Sequence, residues 1–385
     1  MKNKVVIIGG GMVGAATAVA LAKKGAQVIV VEQFPIDPIE TFNDAQIDIR
    51  VSAINRFSER LLESLGAMPT LKASRTAPYT RLTAFESGKN VLSFDHTEVN
   101  TSHLGHIIEN KLIQASLWKQ FKGLPITVKH FETPARKIEQ SESEITLTYD
   151  QEVLQADLLI AADGGRSHVR QLAGIGTTGW QYSQHCMGVL IELDAPQQTE
   201  TWQQFKASGP VALLPMSAPF ANLIWYDNGN KLKLLSQLSP EQLKMEIKAH
   251  FPTLPGDFKV LNSAVFPLAR QHANHYVKGR VVLVGDAAHT INPLAGQGVN
   301  LGFKDVAALV DAVSLDDVGE CGALKTYERM RRKDNLLMMS TMDACYFGFS
   351  NDIEPLRIAR EFILKMANNA GPIKAQVLKH AMGDA

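Results

Sequence analysis

Three short apolar runs in this chain each deliver a carboxylate to their end, in a glycine-rich setting. Gln27-Val28-Ile29-Val30-Val31 ends at Glu32, and Leu158-Leu159-Ile160-Ala161-Ala162 ends at Asp163-Gly164, with Arg166 just beyond. Arg280-Val281-Val282-Leu283-Val284 ends at Gly285-Asp286, and small residues then lead to Pro293-Leu294-Ala295-Gly296-Gln297-Gly298-Val299-Asn300. A carboxylate at a strand tip accepts hydrogen bonds from ligand hydroxyls. A helix opening beside it turns free N–H groups toward anionic or polar groups. The chemistry such residues support is binding of a large polar ligand across several strand ends.

The first run names the ligand class. Lys4-Val5-Val6-Ile7-Ile8 reads as a buried parallel strand and enters Gly9-Gly10-Gly11-Met12-Val13-Gly14. Gly9, Gly11 and Gly14 form G-x-G-x-x-G: one glycine for the tight turn, one for approach of a pyrophosphate, one for close helix–strand packing. A small-residue helix and the strand ending at Glu32 follow in register, so Glu32 falls where a carboxylate accepts from adenosine ribose hydroxyls. A merely structural glycine turn would leave Glu32 unexplained. Taken alone, the Asp163 segment is an Asp-Gly turn capping a helix. Three strand-to-acid junctions in one chain point instead to one shared dinucleotide, a flavin. Gly174-Ile175-Gly176-Thr177-Thr178-Gly179 also matches G-x-G-x-x-G, but it follows a helical segment and opens no helix. It reads as a helix stop and loop.

The elements that must position these residues form an α/β chain with a discontinuous Rossmann-like domain. Residues 1–72, 98–180 and 269–330 read as the nucleotide-binding part. Residues 73–97 and 181–268, mostly alternating strands, read as an inserted, mainly antiparallel substrate sheet, and 331–385 as a C-terminal helical region. A helix is predicted over about 55–65, stopped by Gly66, and another over 107–121. Strands are predicted at 80–85, 90–94, 126–130, 144–149, 187–193, 211–214, 222–226 and 260–266, with a helix over about 240–250. Further helices are predicted near 298–313, 321–345 and 355–368.

Composition narrows the classes. The 385 residues carry 39 basic and 39 acidic side chains, a zero formal charge that gives no footprint for nucleic acid. No apolar run reaches the roughly 18 residues of a membrane span. The chain starts in a core strand with no signal segment, and its 3 cysteines are widely spaced, which fits a reducing cytoplasm. His103/His106 and His272/His275 have no acid or cysteine at ligand spacing, so no metal is expected.

Asp48-Ile49-Arg50-Val51-Ser52-Ala53-Ile54, Leu104-Gly105-His106-Ile107-Ile108-Glu109-Asn110 and the Asn292–Leu301 loop complete the pattern. With them the chain resembles, over nearly its whole length, the flavin-dependent aromatic hydroxylases of the p-hydroxybenzoate hydroxylase fold, and within these the ubiquinone-biosynthesis hydroxylases. Trp180-Gln181-Tyr182, Trp202-Gln203-Gln204-Phe205, Ile224-Trp225-Tyr226-Asp227 and Phe347-Gly348-Phe349-Ser350-Asn351-Asp352 resemble the branch that acts on 2-polyprenyl-3-methyl-6-methoxy-1,4-benzoquinol (demethoxyubiquinol).

The resemblance implies non-covalent FAD. Gly9, Gly11, Val13 and Gly14 would cradle its pyrophosphate, Glu32 its adenosine ribose, Arg50 and Gln114 its middle, and Asp286 its ribityl chain. Pro293 and the backbone of Gly298, Val299 and Asn300 would line the isoalloxazine. Asp163 and Arg166 would serve both FAD and a transient NAD(P)H. The implied reaction is hydroxylation by O2 through a flavin C4a-hydroperoxide, which requires no protein nucleophile, so no catalytic acid or base is assigned. Leu214, Trp225, Tyr226, Phe266 and Leu268 are candidate walls for the quinol ring and its tail, or ordinary sheet core. His289 is a flavin neighbour or a structural histidine.

Three alternatives stay open: a sister hydroxylase acting at another ring position, a flavin-dependent polyprenyl reductase, and a flavoprotein scaffold. In the tail from Pro355, Leu356, Ala359, Phe362, Ile363 and Met366 share a helical face and basic residues outnumber acids; it reads either as a helix packed on the flavin domain with a solvated basic face or as a site of peripheral contact with the inner membrane or of docking to a partner complex.

Overall fold

The computed structural model describes residues 3–86, 91–292, 296, 298–349, 366, 368 and 370–383. Lys4–Ile8 is the centre of a six-stranded sheet and pairs in parallel with Gln27–Val31 on one side and Leu158–Ala161 on the other. Val281–Leu283 and Ile126–Lys129 extend the sheet in parallel, and Val277–Lys278 closes one edge antiparallel. The four inner strands are apolar runs, largely buried on both faces. Val5, Val6, Ile7, Leu159, Ile160 and Val282 are all 0% exposed. Ile8 lies level with Ala161 and Val31, and Ala161 with Leu283. The residues that follow these four strands therefore leave the sheet at one carboxyl edge, where open α/β sheets bind ligands.

Met12–Lys24 is a helix of small residues packed on that sheet, and it ends where Gly25 takes a φ of 114° and caps the last carbonyls. Arg56–Leu65 is capped by Asn55, whose side chain accepts from Ser58 N, and stops at Gly66. The segment after Leu104 departs from expectation. Gly105–Glu109 is a strand between Val51–Asn55 and Thr76–Tyr79, and the helix begins only at Asn110. All five strand residues are buried, so no alternation marks the change from strand to helix.

The second large sheet has eight strands. Thr177–Leu193, Phe220–Asn228 and Phe258–Ala273 form its centre, and Val211–Pro215, Glu200–Gln204, Arg81–Phe85 and Val91–Asp95 continue it outward. Alternation gives it two distinct faces. Met187, Val189, Ile191, Leu223 and Trp225 pack under the helices Gly229–Leu235 and Pro240–His250 through Leu232, Leu235, Leu243 and Ile247. Cys186, Gly188 and Ile224 face the loops of the six-stranded sheet. The strand Thr177–Leu193 begins inside the Gly174–Gly179 segment, so that second glycine pattern opens a strand and not a helix. Gly298–Ala312 and Cys321–Phe349 are helices. The predicted helix over 355–368 lies outside the described residues except at 366 and 368.

Candidate active site

Two hollows meet at the carboxyl edge, over Gly11 and Ala162, which line both. The smaller, about 430 Å³, is walled by Glu32, Phe34, Phe131, Tyr149, Asp163 and Arg166. Phe131 and Tyr149 are stacked at 3.9 Å. The Glu32 carboxylate accepts from Gly10 N at 2.6 Å and Phe34 N at 2.9 Å, which fixes it at the mouth of the glycine loop. The Gly10 carbonyl accepts from Gln114 Nε2 at 2.9 Å and Trp118 Nε1 at 2.7 Å. Gln114 thus braces the loop from behind and lines neither hollow, and Trp118, which sequence reasoning did not single out, does the same.

The three fingerprint glycines divide their work. A Cβ on Gly14 would stand 1.9 Å from the Gly9 carbonyl oxygen, and one on Gly9 would stand 2.4 Å from that of Ala162. Those two positions are closed by packing. A Cβ on Gly11 would meet nothing within 4 Å, so Gly11 faces open space where the hollows join. A backbone bared toward a continuous double hollow, with ribose-type acceptors at both ends, fits a dinucleotide. Asp163 adds a buried Oδ1 without a partner, while its Oδ2 accepts from Val169 N at 3.1 Å.

The larger hollow, about 510 Å³, holds Val13, Arg50, Asp286, Gly298 and Val299 on the flavin-domain side. Asp286 lines the hollow and is exposed; the surrounding protein pushes its carboxyl above the ordinary range, with His289 opposing and Asp305 adding. Val13 packs against the loop and helix that face it: a Cβ on Gly302 would lie 2.6 Å from Val13 Cγ2. Arg170, 4% exposed, donates to Ala287 O and Gly165 O, each at 2.8 Å, and so ties the Asp163 and Asp286 loops together.

Behind Asp286 lies a buried polar hub. Asp305, 0% exposed, accepts from Gly285 N at 3.0 Å and Arg331 Nε at 2.8 Å, and pairs with His289 Nε2 at 2.5 Å. Asn335 donates to the same carboxylate at 3.1 Å. Despite its burial, which opposes ionisation, His289 and Arg331 hold the Asp305 carboxyl down at about 2. His289 is therefore a structural partner of the hub. Neither Asp305 nor Arg331 gave a sequence signal beyond being charges within helical segments.

Asn300 is 1% exposed and lies behind the wall. Its side chain accepts from Asn55 N and Ser58 Oγ and donates to Ala53 O, which clamps the helix start to the Val51–Asn55 strand. Pro293 lies outside the described residues.

The opposite wall belongs to the eight-stranded sheet: Cys186, Gly188, Ile224, Phe266 and Leu268. Trp225 corrects the expectation. It pairs with Met187 on the far face and stacks on His250 at 4.5 Å, so it is core and cannot touch a ligand in the hollow. Tyr226 is on the near face but packs behind Cys186 with Tyr182 and Tyr346. Leu214 is also on the near face, in the neighbouring cluster around Tyr79 and Leu104. Burial pushes the Cys186 thiol up to about 12, so it is neutral and no nucleophile.

The expectation about the histidine pairs also changes. His103 and His106 do have an acid beside them, Glu59, delivered from the Arg56–Leu65 helix. Among the described residues no helix is long and apolar enough to cross a membrane.

Residues 2–339 match the FAD binding domain family. The chain is 41% identical to the 3-demethoxyubiquinol 3-hydroxylase of Escherichia coli (strain K12), over 99% of this chain and 98% of that protein. It is 33% identical to the ubiquinone hydroxylase UbiL of Rhodospirillum rubrum, over 98% and 89% of the two chains. Its fold matches p-nitrophenol 4-monooxygenase PnpA from Pseudomonas putida DLL-E4 with a TM-score of 0.79 at 19% identity, covering 99% of this chain and 96% of that one. The conclusion from family, fold and site together is that the chain belongs to the ubiquinone-biosynthesis hydroxylases and is an FAD-dependent monooxygenase.

Proposed function

We propose that the enzyme hydroxylates the ring of a polyprenylated benzoquinol of the demethoxyubiquinol type, drawing electrons from NAD(P)H and oxygen from O2. The observation that carries this reading is the larger hollow: flavin-binding loops on one side, and an apolar sheet wall with no nucleophile on the other. The similarity to the demethoxyubiquinol enzyme supports the choice of ring.

FAD, when bound, supplies the redox chemistry. Glu32 would hold its adenosine end, the bared backbone at Gly11 its pyrophosphate, and Asp286 its ribityl hydroxyls. Ile224, Phe266 and Leu268 present hydrocarbon to the ring and keep water from the flavin face, where water would divert oxygen to peroxide. Arg50, with its side chain 66% exposed, sits at the rim and is suited to a polar group of the cofactor. Asp163 and Arg166 would take a second role toward the nicotinamide donor.

The test is to incubate FAD-loaded enzyme with a short-tailed demethoxyubiquinol, NADH or NADPH, and O2. A product heavier by one oxygen, formed only aerobically, is expected. Turnover without O2 would instead indicate a polyprenyl reductase, and product oxygen at a different carbon a sister hydroxylase. We also propose that residues 355–385 mediate contact with anionic membrane or a biosynthetic complex. Vesicle cosedimentation of the FAD-loaded enzyme with and without them tests this, and equal binding refutes it.

A further inference from the structure

The Glu59 cluster lies outside the flavin site and carries a contradiction that a bound metal ion would remove. One donor atom from each of Glu59, His103 and His106, a carboxylate oxygen and two ring nitrogens, lies within 4.8 Å of the other two. His103 Nε2 is 2.9 Å from Glu59 Oε2 and 2.7 Å from Arg56 Nη1, and Arg56 also contacts Glu59. A guanidinium only donates and a carboxylate only accepts. One ring nitrogen cannot accept from Arg56 and donate to Glu59 at once, so one of these contacts is always unfavourable.

The remaining atoms point the same way. His103 Nδ1 is 2.8 Å from Ser102 Oγ, a contact through the other ring nitrogen of the kind that orients metal-binding histidines. His106 is 6% exposed, and its Nδ1 has no hydrogen-bond partner although it lies 3.8 Å from Glu59 Oε1. Two other cations face the cluster: Lys72, 3.7 Å from Glu59 Oε1, and Arg56 itself, whose side chain is 22% exposed.

We propose that Glu59, His103 and His106 form a three-ligand site for a divalent cation of the zinc class, with Arg56 as the resident positive charge that the metal displaces. Two imidazoles and one carboxylate, with a fourth position open, are a familiar zinc donor set. A bound ion would pin the Arg56–Leu65 helix to the Gly105–Glu109 strand. Ser58, next to Glu59, donates to Asn300 at 2.7 Å, which links that pin to the start of the helix lining the larger hollow.

The experiment uses untagged, FAD-loaded full-length enzyme exposed to Zn²⁺, desalted, and assayed for zinc by plasma mass spectrometry, with affinity from competition against a chromophoric chelator. One equivalent is expected in wild type, lost in E59Q and in H103A. R56A should bind at least about tenfold more tightly, because a competing charge is gone. His103 lies in a loop, so H103A keeps the test decisive if E59Q fails to fold. Zinc absent from both wild type and R56A, or undiminished in H103A, overturns the proposal and leaves an ion-pair cluster.

Discussion

Asp305→Asn removes one negative charge from the middle of the buried hub while keeping its shape. The amide leaves Arg331, 4% exposed, without its buried counter-charge, and Gly285 N and His289 with a weaker acceptor. Breaking a buried ion pair from one side costs about 3–5 kcal/mol. Titration gives a similar scale. The carboxyl is held at about 2 against an ordinary 3.8, a depression equivalent to roughly 2–3 kcal/mol. Because the folded-state value is the lower one, this stabilisation is fully present above about pH 4 and is lost as pH falls toward 2. Urea unfolding of the apo-protein at pH 7 should show a loss of about 3 kcal/mol or more in Asp305→Asn, and the gap from wild type should shrink as pH drops through that window. Replacing both partners, Asp305→Asn with Arg331→Met, should recover most of the loss, since the stranded charge is gone. A single-variant loss under about 1 kcal/mol at unchanged m-value would refute the hub as the support of the Asp286 loop.

Glu32→Ala and Asp286→Ala should each weaken FAD by roughly tenfold or more, read by fluorescence titration, since each removes a charged hydrogen-bond acceptor; retention equal to wild type would remove the residue from the site. Gly14→Ala should abolish FAD loading by forcing a Cβ against the Gly9 carbonyl, whereas Gly11→Ala should fold and melt like wild-type apo-protein yet bind FAD poorly. Leu268→Asn should raise hydrogen peroxide release per NAD(P)H consumed by wetting the hollow, while Trp225→Phe, on the far face, should leave that ratio unchanged and act only on stability; a peroxide assay separates them.

Features marked locally were legible in the sequence. The helix over 240–250 carries a local start signal that the structure realises: Ser239 and Gln242 form a capping box around Pro240. Glu32, Asp163 and Asp286 were found because each ends an apolar run. The expected helix over 107–121 takes in the last three residues of the Gly105–Glu109 strand because a strand buried on both faces has no period of its own. Alternation puts Trp225 and Tyr226 on opposite faces, but which face meets the flavin loops is set by how the two sheets pack together. Glu59 beside His103, and Asp305 beside Arg331, are tertiary meetings with no fixed sequence spacing.

The shared carboxyl edge has a consequence for how the enzyme is made. Glu32, Asp163 and Asp286 come from strands that the chain visits early, midway and late, with the long Thr177–Ala273 excursion through the second sheet before the last of them. On the proposed assignment, a nascent chain that has released only the fingerprint has the bared Gly11 backbone but not Asp286, the Gly298–Val299 wall or the opposing sheet. Flavin capture therefore waits for nearly the whole chain to leave the ribosome. Loading should be all-or-none at the end of synthesis, and chains cut short before residue 281 should emerge free of cofactor, dependent on chaperones and first in line for proteolysis.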